Sequence, residues 1–331
     1  MTDYRADWVS CWGLEVFVAT LIFALLGLTI LSGSVGASPA TPAQMNFENL
    51  FGVNTHNLSY APYIRQLGVG WVRIDVPSDI VQELRVAKKE GLRTLVILDD
   101  QVVWYETGSD FLPSLQVWKK SITEFVMSFG REVNAYEIWN EPTVFRNGYE
   151  NGSSYNYYEL LCSAYHIIKS LQPDAIVIGL GGVAVYSGPN DSMLERDFEF
   201  ARGVATLGGG RCMDAFSIHA YDWSNMSNSV WEDWSASIAV YRSDFPGLPF
   251  WVTETGTTIF DIGGSQSQFI REAYPLLLQD GARKIFWYMF EENGQGFGLL
   301  QVNGTPRPSF FALRMFVHPP APSRLWKTSE D

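Results

Sequence analysis

The sequence predicts a (β/α)8 barrel over residues 46–317, and three observations carry that expectation. Eight short apolar runs alternate with stretches of helical periodicity, most of the runs are apolar on both faces, and no linker-like segment interrupts them. A parallel sheet covered by helices needs strands buried on both sides. Eight β-then-α units in about 270 residues suit a barrel, which typically takes about 250.

The runs, in order, are Leu50–Asn54, Trp71–Asp75, Thr94–Leu98, Ala135–Asn140, Ile176–Leu180, Ala215–Ala220, Phe250–Glu254 and Ile285–Phe290. Between them, apolar residues recur at three- and four-residue spacing in Ile80–Glu90, Leu115–Phe129, Tyr157–Leu171 and Gln268–Gln279, the mark of amphipathic helices. Gly91, Gly130 and Gly281 follow three of these helices in the position of C-terminal caps. A doubly wound sheet is the competing architecture, but no Gly-rich phosphate loop follows the first run. Gly208-Gly209-Gly210 precedes a strand instead of joining strand to helix, so it reads as a loop.

Ahead of the barrel, Val16 to Ser32 is apolar and uncharged, and Ser34-Val35-Gly36-Ala37 places small residues behind it. Residues 1–37 therefore read as a secretory leader cleaved after Ala37. The flank carries Asp3, Arg5, Asp7 and Glu15 and is not basic, and the run is nearly long enough to span a bilayer, so an uncleaved anchor through residues 14–34 is the alternative. Both readings put the following domain outside the cell, secreted or held on the outer face of the membrane. Residues 38–45 are a Pro/Ala linker, and 318–331 form a C-terminal tail.

Acidic residues exceed basic ones, 36 against 23, for a net charge of −13. No basic stripe is available to neutralise phosphates, which excludes nucleic acid as a partner. Aromatic residues make up 15% of the chain; most belong in the core, but flat apolar rings also suit a carbohydrate cleft. The four histidines lack metal-ligand spacing, and no cofactor is expected. Cys162 and Cys212 are the only possible pair within the domain, as a disulfide or as two buried thiols. Asn57, Asn151, Asn190, Asn225 and Asn303 each open an Asn-X-Ser/Thr triplet.

In a barrel of this kind the chemistry gathers at the C-terminal ends of the strands. Reading those ends in turn gives Asn54-Thr55-His56, Arg73 with Asp75, Asp99-Asp100-Gln101, Asn140-Glu141, Gly181-Gly182, His219 with Tyr221, Glu254, and Trp287 with Glu291-Glu292. Polar and aromatic groups converge on one rim. Two of the strand ends stand out as carboxylates, Glu141 ahead of Pro142 on the fourth run and Glu254 within Thr253-Glu254-Thr255-Gly256 on the seventh. Strict alternation points Asn140 and Glu141 to opposite faces, so both reach one site only if the strand end twists or bulges. Glu137, on Glu141's face, reads as a barrel-interior carboxylate in need of a buried partner.

The run Tyr136-Glu137-Ile138-Trp139-Asn140-Glu141-Pro142, paired with Glu254, resembles the retaining glycoside hydrolases of clan A. The resemblance covers nearly all of residues 46–317. It implies that Glu141 is the acid/base and Glu254 the nucleophile, set about 5–5.5 Å apart for retention through a covalent glycosyl-enzyme. Arg73 resembles the clan's arginine that bonds the nucleophile, with an ion pair to Asp75 as its alternative. Asn140 is similar to the residue that donates to the sugar 2-hydroxyl. His219 would line the sugar pocket, Tyr221 would hydrogen-bond Glu254, and Trp287 would floor the reacting sugar. Residues 298–310 resemble the clan's closing hairpin. The third run lacks the histidine common there in the cellulase-like family 5, and the wording of the fourth run leans towards family 39-like members.

The expected activity is thus a retaining β-glycosidase on a polysaccharide or oligosaccharide. Transglycosylation through the same intermediate, exo-action, and a sugar-binding barrel without catalysis are the alternatives. Internal cutting is expected from rings placed on loops beyond the strands: Trp104 and Tyr105 after the third, and Trp223, Trp231 and Trp234 after the sixth. For Trp231 and Trp234, the apolar face of a helix fits the spacing equally well.

Overall fold

A computed structural model describes residues 47–107, 114–144, 153–185, 192–221, 228–261 and 265–319. The leader, the linker and most of the tail lie outside the described residues. So do Trp223 and the triplets at Asn151, Asn190 and Asn225. Among the described residues no helix is long and apolar enough to cross a membrane.

Eight parallel strands close into a barrel in sequence order: β1 (Phe51–Asn54), β2 (Trp71–Ile74), β3 (Arg93–Leu98), β4 (Ala135–Ile138), β5 (Ile176–Ala184), β6 (Ala215–Tyr221), β7 (Phe250–Gly256) and β8 (Ile285–Trp287). Closure comes from β1 against β8, with Gly52 opposite Phe286. The helices among the described residues are α1 (Ala61–Leu67), α2 (Ile80–Lys89), α3 (Asp100–Thr107), α4 (Leu115–Phe129), α5 (Ser154–Leu171), α6 (Ser192–Thr206), α7 (Asn228–Asp244), α8 (Gln266–Gln279) and α9 (Pro308–Val317). Each strand overlaps the run expected for it.

Two hydrophobic layers follow from strand alternation. Outward residues such as Val53, Val72, Val96, Ile138 and Val252 pack under the helices in one large cluster. Inward residues at the N-terminal end, Trp71, Leu95, Ala135, Ile178, Ala215, Trp251 and Phe286, form a separate plug. The Lys284 ammonium covers that plug, 4.5 Å from the Trp71 ring and 5.0 Å from Trp251. With the lower barrel filled, a cavity lined by strand-end side chains opens at the opposite rim.

Several details differ from the sequence reading or choose between its alternatives. Residues 100–107 form helix α3 where a ring-bearing loop was expected. Asp99 Oδ1 accepts from Gln101 N at 2.9 Å, and no glycine or proline interrupts the segment, so the chain turns into a helix at once. Trp104 therefore belongs to a helix. Trp231 and Trp234 are the apolar face of α7: their rings lie 5.0 Å apart and both pack on Phe269 of α8. Gly91 and Gly281 take left-handed φ values of 69° and 98°, as helix-ending glycines do, whereas Gly130 stays right-handed at −55°. The two open thiols are joined. Cys162 of α5 bonds Cys212, just ahead of β6, with Cα atoms 4.9 Å apart.

The largest departure is at the ends of β4 and β5. β4 stops at Ile138 because Trp139 and Glu141 adopt φ of 69° and 45°. β5 runs past its expected end through Leu180, Gly181 and Gly182, all at positive φ, and its register against β6 shifts between Gly179 and Val183. Left-handed backbone on non-glycine residues costs about 1–3 kcal/mol each and collects at functional sites.

Candidate active site

A cavity of about 790 Å³ opens at the C-terminal rim. Its floor is organised by Arg73 at the end of β2, which is 3% exposed. Its Nε donates to Glu137 Oε2 at 2.6 Å, Nη1 to Glu254 Oε1 at 2.6 Å and to Asn54 Oδ1 at 2.8 Å, and Nη2 to Asn140 Oδ1 at 2.7 Å. Burial alone would weaken the charge, but Glu137 and Glu254 outweigh it and push the guanidinium pKa upward. Asp75 instead meets His56, whose Nδ1 lies 2.7 Å from Asp75 Oδ2. That hydrogen bond is the main reason His56 is raised above its ordinary pKa.

Glu137 has the buried partner it needs, and its other oxygen accepts from Thr253 Oγ1 at 2.8 Å. Glu254, 7% exposed on β7, receives Arg73 on Oε1 and the Tyr221 hydroxyl on Oε2 at 2.5 Å. Burial first, then the Glu254 charge, pushes the Tyr221 pKa up, so the hydroxyl remains a donor.

Glu141 reaches the same cavity through the strained turn after β4. Its N–H donates to Gly181 O on β5 at 2.6 Å, which fixes the residue in that turn. Asn140 and Glu141 both line the cavity, as a twisted strand end requires. Glu141 Oε1 lies 3.2 Å from His219 Nδ1, and Glu254 Oε2 lies 3.6 Å from the same nitrogen. Burial opposes protonation of His219, but the Glu254 charge and the Glu141 hydrogen bond override it and raise the pKa above 6.5. The ring lies against Gly182, where a Cβ would come within 2.1 Å of Nε2. Glu141, His219 and Glu254 each bring a carboxylate oxygen or a ring nitrogen to one point, these atoms all lying within 4.8 Å of one another. The Arg73 cation already supplies positive charge at that point.

The structure corrects one sequence-based role. Trp287 does not face the cavity: it is fully buried, donates Nε1–H to Phe297 O at 3.1 Å and packs edge-on against Phe269 of α8. Alternation explains this, since Phe286 points inward to stack on Trp251 and its neighbour must point outward. The next inward ring is Tyr288, which lines the cavity with Phe297 and Tyr221, the three rings standing 5.5–6.3 Å apart. Burial raises the Tyr288 hydroxyl to about 12.

Arg73, Asn140, Glu141, His219, Tyr221 and Glu254 are thus brought together, and Trp287 is not. Trp104 sits on α3, and Trp223 lies outside the described residues. Tyr288, Phe297, Thr143 and Asp197 line the cavity without having been singled out. Tyr288 was legible from parity with Phe286. Asp197 carried no signal, being one acid in the helical stretch Glu195-Arg196-Asp197.

No protein-family profile matches the chain. A β-xylosidase of Geobacillus stearothermophilus is 24% identical over 258 residues, 66% of this chain and 49% of that protein, so the chain spans about half the length of this curated relative. Among solved structures, the hyperthermostable endo-1,4-β-D-mannanase of Thermotoga petrophila RKU-1 superposes with a TM-score of 0.59 at 15% identity, over 81% of this chain and 99% of that one. Xylanase 10B of Thermotoga maritima gives 0.55 at 13% identity, over 82% and 95%. These neighbours, by their names a mannanase and a xylanase, share the barrel, and the resemblance read from Asn140-Glu141-Pro142 and Glu254 holds at the level of that fold.

Proposed function

We propose that the chain is a retaining β-glycosidase that cleaves O-glycosidic bonds by double displacement, with Glu254 as nucleophile and Glu141 as acid/base. One observation carries the reading: oxygens of the two carboxylates lie within 4.8 Å of one another. This close spacing leaves too little room for a sugar carbon and an attacking water together, the arrangement that favours attack by the carboxylate itself.

In the first step Glu254 attacks the anomeric carbon while Glu141 protonates the departing oxygen. Arg73 and Tyr221 hold the attacking carboxylate in one rotamer. When Glu254 becomes an ester its charge is lost, yet Arg73 stays compensated because Glu137 remains bonded to Nε. The carboxylate that Glu141 becomes is met by the His219 ring at 3.2 Å. In the second step Glu141 takes a proton from water, which displaces Glu254. Asn140 accepts from Arg73 through Oδ1, which orients its amide donors for the sugar 2-hydroxyl, and the Tyr288 ring serves as the floor of the sugar site.

The substrate in this reading is a β-linked chain cut internally, with Trp104 and Trp223 as the rings that extend the cleft. The leader reading of residues 1–37 places the activity outside the cell or on the outer membrane face, and the Cys162–Cys212 bond suits an oxidising compartment. Product anomers followed by NMR test the mechanism: retained configuration is expected, and an inverted first product overturns it. Timing the products of a polymer digest tests the cutting mode. A ladder of oligosaccharides in the first minutes is expected, and monosaccharide alone at that stage makes the enzyme exo-acting.

A further inference from the structure

The loop after β7 holds an apolar ledge beside the cleft. Ile259 is 45% exposed and Phe260 69%. Isolated exposed apolar side chains are ordinary on protein surfaces, but these two are adjacent, share a seat and are braced. The Phe260 ring lies on the backbone of Gly296, where a Cβ would come within 2.7 Å of Cε2, and Ile259 touches the same residue. Thr258 on one side of the ledge, and Gln295 and Phe297 on the other, line the catalytic cavity. The ledge is therefore continuous with the cleft, on the loop leading from Glu254.

Its position is fixed by polar contacts that water does not have to supply. Asp261 Oδ2 accepts from Thr257 Oγ1 and from Thr258 N, both at 2.6 Å. Thr258 Oγ1 accepts from Phe260 N at 3.1 Å, and Ile259 N donates to Gly296 O at 3.0 Å. Beneath, the buried Gln266 amide donates to Thr257 O, Gly296 O and Phe297 O, each at 3.1 Å. The loop is thereby tied to the segment after β8. An aromatic side chain with two torsions on a braced loop loses little conformational freedom when a ligand settles on it.

We propose that Phe260, supported by Ile259, is a stacking platform for a sugar unit of the substrate outside the unit bound between Glu141 and Glu254. The C–H-rich face of a pyranose matches a flat apolar ring, and the continuity with the cleft selects a carbohydrate chain already held at the catalytic centre as the occupant. This rests on the glycosidase reading and deepens it, because it places an apolar contact beyond the catalytic cavity on the nucleophile's own loop.

The test compares two substrates of wild type, Phe260→Ala and Phe260→Trp. One is the 4-nitrophenyl β-glycoside, among xyloside, mannoside and glucoside, that wild type cleaves fastest. The other is the matching β-1,4-linked hexasaccharide. Wild-type turnover of the aryl glycoside checks the glycosidase reading by itself, so its failure is distinguishable from failure of the platform. The ratio of kcat/KM for the hexasaccharide to that for the aryl glycoside should fall at least fivefold in Phe260→Ala and return to the wild-type value or above in Phe260→Trp. An unchanged ratio overturns the proposal, and so does an equal fall on both substrates. If the alanine variant alters only the sedimentation of the protein, the ledge is a contact between copies and the platform is excluded. As a second measurement, the Phe260→Trp protein with Glu254→Gln should change its tryptophan emission on adding the hexasaccharide, relative to Glu254→Gln alone. No difference between the two counts against the platform.

Discussion

Arg73 and Glu137 form an ion pair inside the barrel, Nε to Oε2 at 2.6 Å, with side chains 2% and 0% exposed. Removing Arg73 strands Glu137, whereas removing Glu137 leaves Arg73 the Glu254 carboxylate. Breaking a buried pair by deleting one partner costs about 3–5 kcal/mol. Glu137→Gln should sit at the low end of that range, because Arg73 keeps Glu254. Arg73→Met should cost more, since it leaves two carboxylates facing each other without a cation. Denaturant unfolding of both variants checks the order; a Glu137→Gln protein as stable as wild type would show that the pair adds nothing.

Loss of either catalytic carboxylate should be severe but different in kind. Glu141→Ala should lower kcat/KM on unactivated substrates by about 10²–10⁴-fold. With a good leaving group it should release one equivalent of aglycone and then stall. Glu254→Ala should release none until azide is added, and should then yield the inverted glycosyl azide. Near wild-type turnover in either variant would end the assignment.

Tyr221→Phe removes one charge-assisted hydrogen bond to Glu254 and little volume. Such a bond contributes about 1.5–3 kcal/mol, so kcat/KM should drop about 10- to 150-fold while the melting temperature stays within a few degrees. A large loss of stability without a kinetic effect would place Tyr221 in the structure rather than the reaction.

His219 gives a pH signature. Its folded-state pKa is raised above 6.5 by two carboxylates, so its contribution to stability is present below about pH 6.5 and fades as pH rises through the raised value. The stability gap between wild type and His219→Asn should therefore narrow as pH rises above about 6.5. A gap that widens with pH contradicts the protonated partner.

The Cys162–Cys212 bond closes a loop with a sequence separation of 50. In the chain-entropy account a loop of that size contributes about 4 kcal/mol. Reduction, or Cys162→Ala with Cys212→Ala, should lower the melting temperature by several degrees. Equal melting with and without reductant would mean that the cysteines are not joined in solution.

The barrel was legible because its signals are local and repeated: each strand announces itself by apolar residues on both faces, and each helix by its own period. The two carboxylates were legible because they end counted strands. What escaped depended on parity and on backbone hand. Trp287 and Tyr288 are neighbours with opposite destinations, and only the inward position of Phe286 tells them apart. The helix carrying Trp104 begins at a side-chain cap on Asp99, a start signal within Asp99-Asp100-Gln101, which read only as a strand end. Asp197 enters the cavity wall through the placement of α6, which no residue near it in sequence announces.

The meeting of Glu141 N with Gly181 O has a consequence for engineering. The carboxylate is carried by the turn after β4, but its placement depends on the neighbouring strand being bare: a Cβ on Gly181 would come within 2.9 Å of Trp139 O, and one on Gly182 would enter the His219 ring. Positions 181 and 182 should therefore tolerate almost no substitution in a mutational scan, although neither offers a side chain to the reaction. A designer moving this acid/base to another scaffold has to transplant the two glycines with it, as one unit.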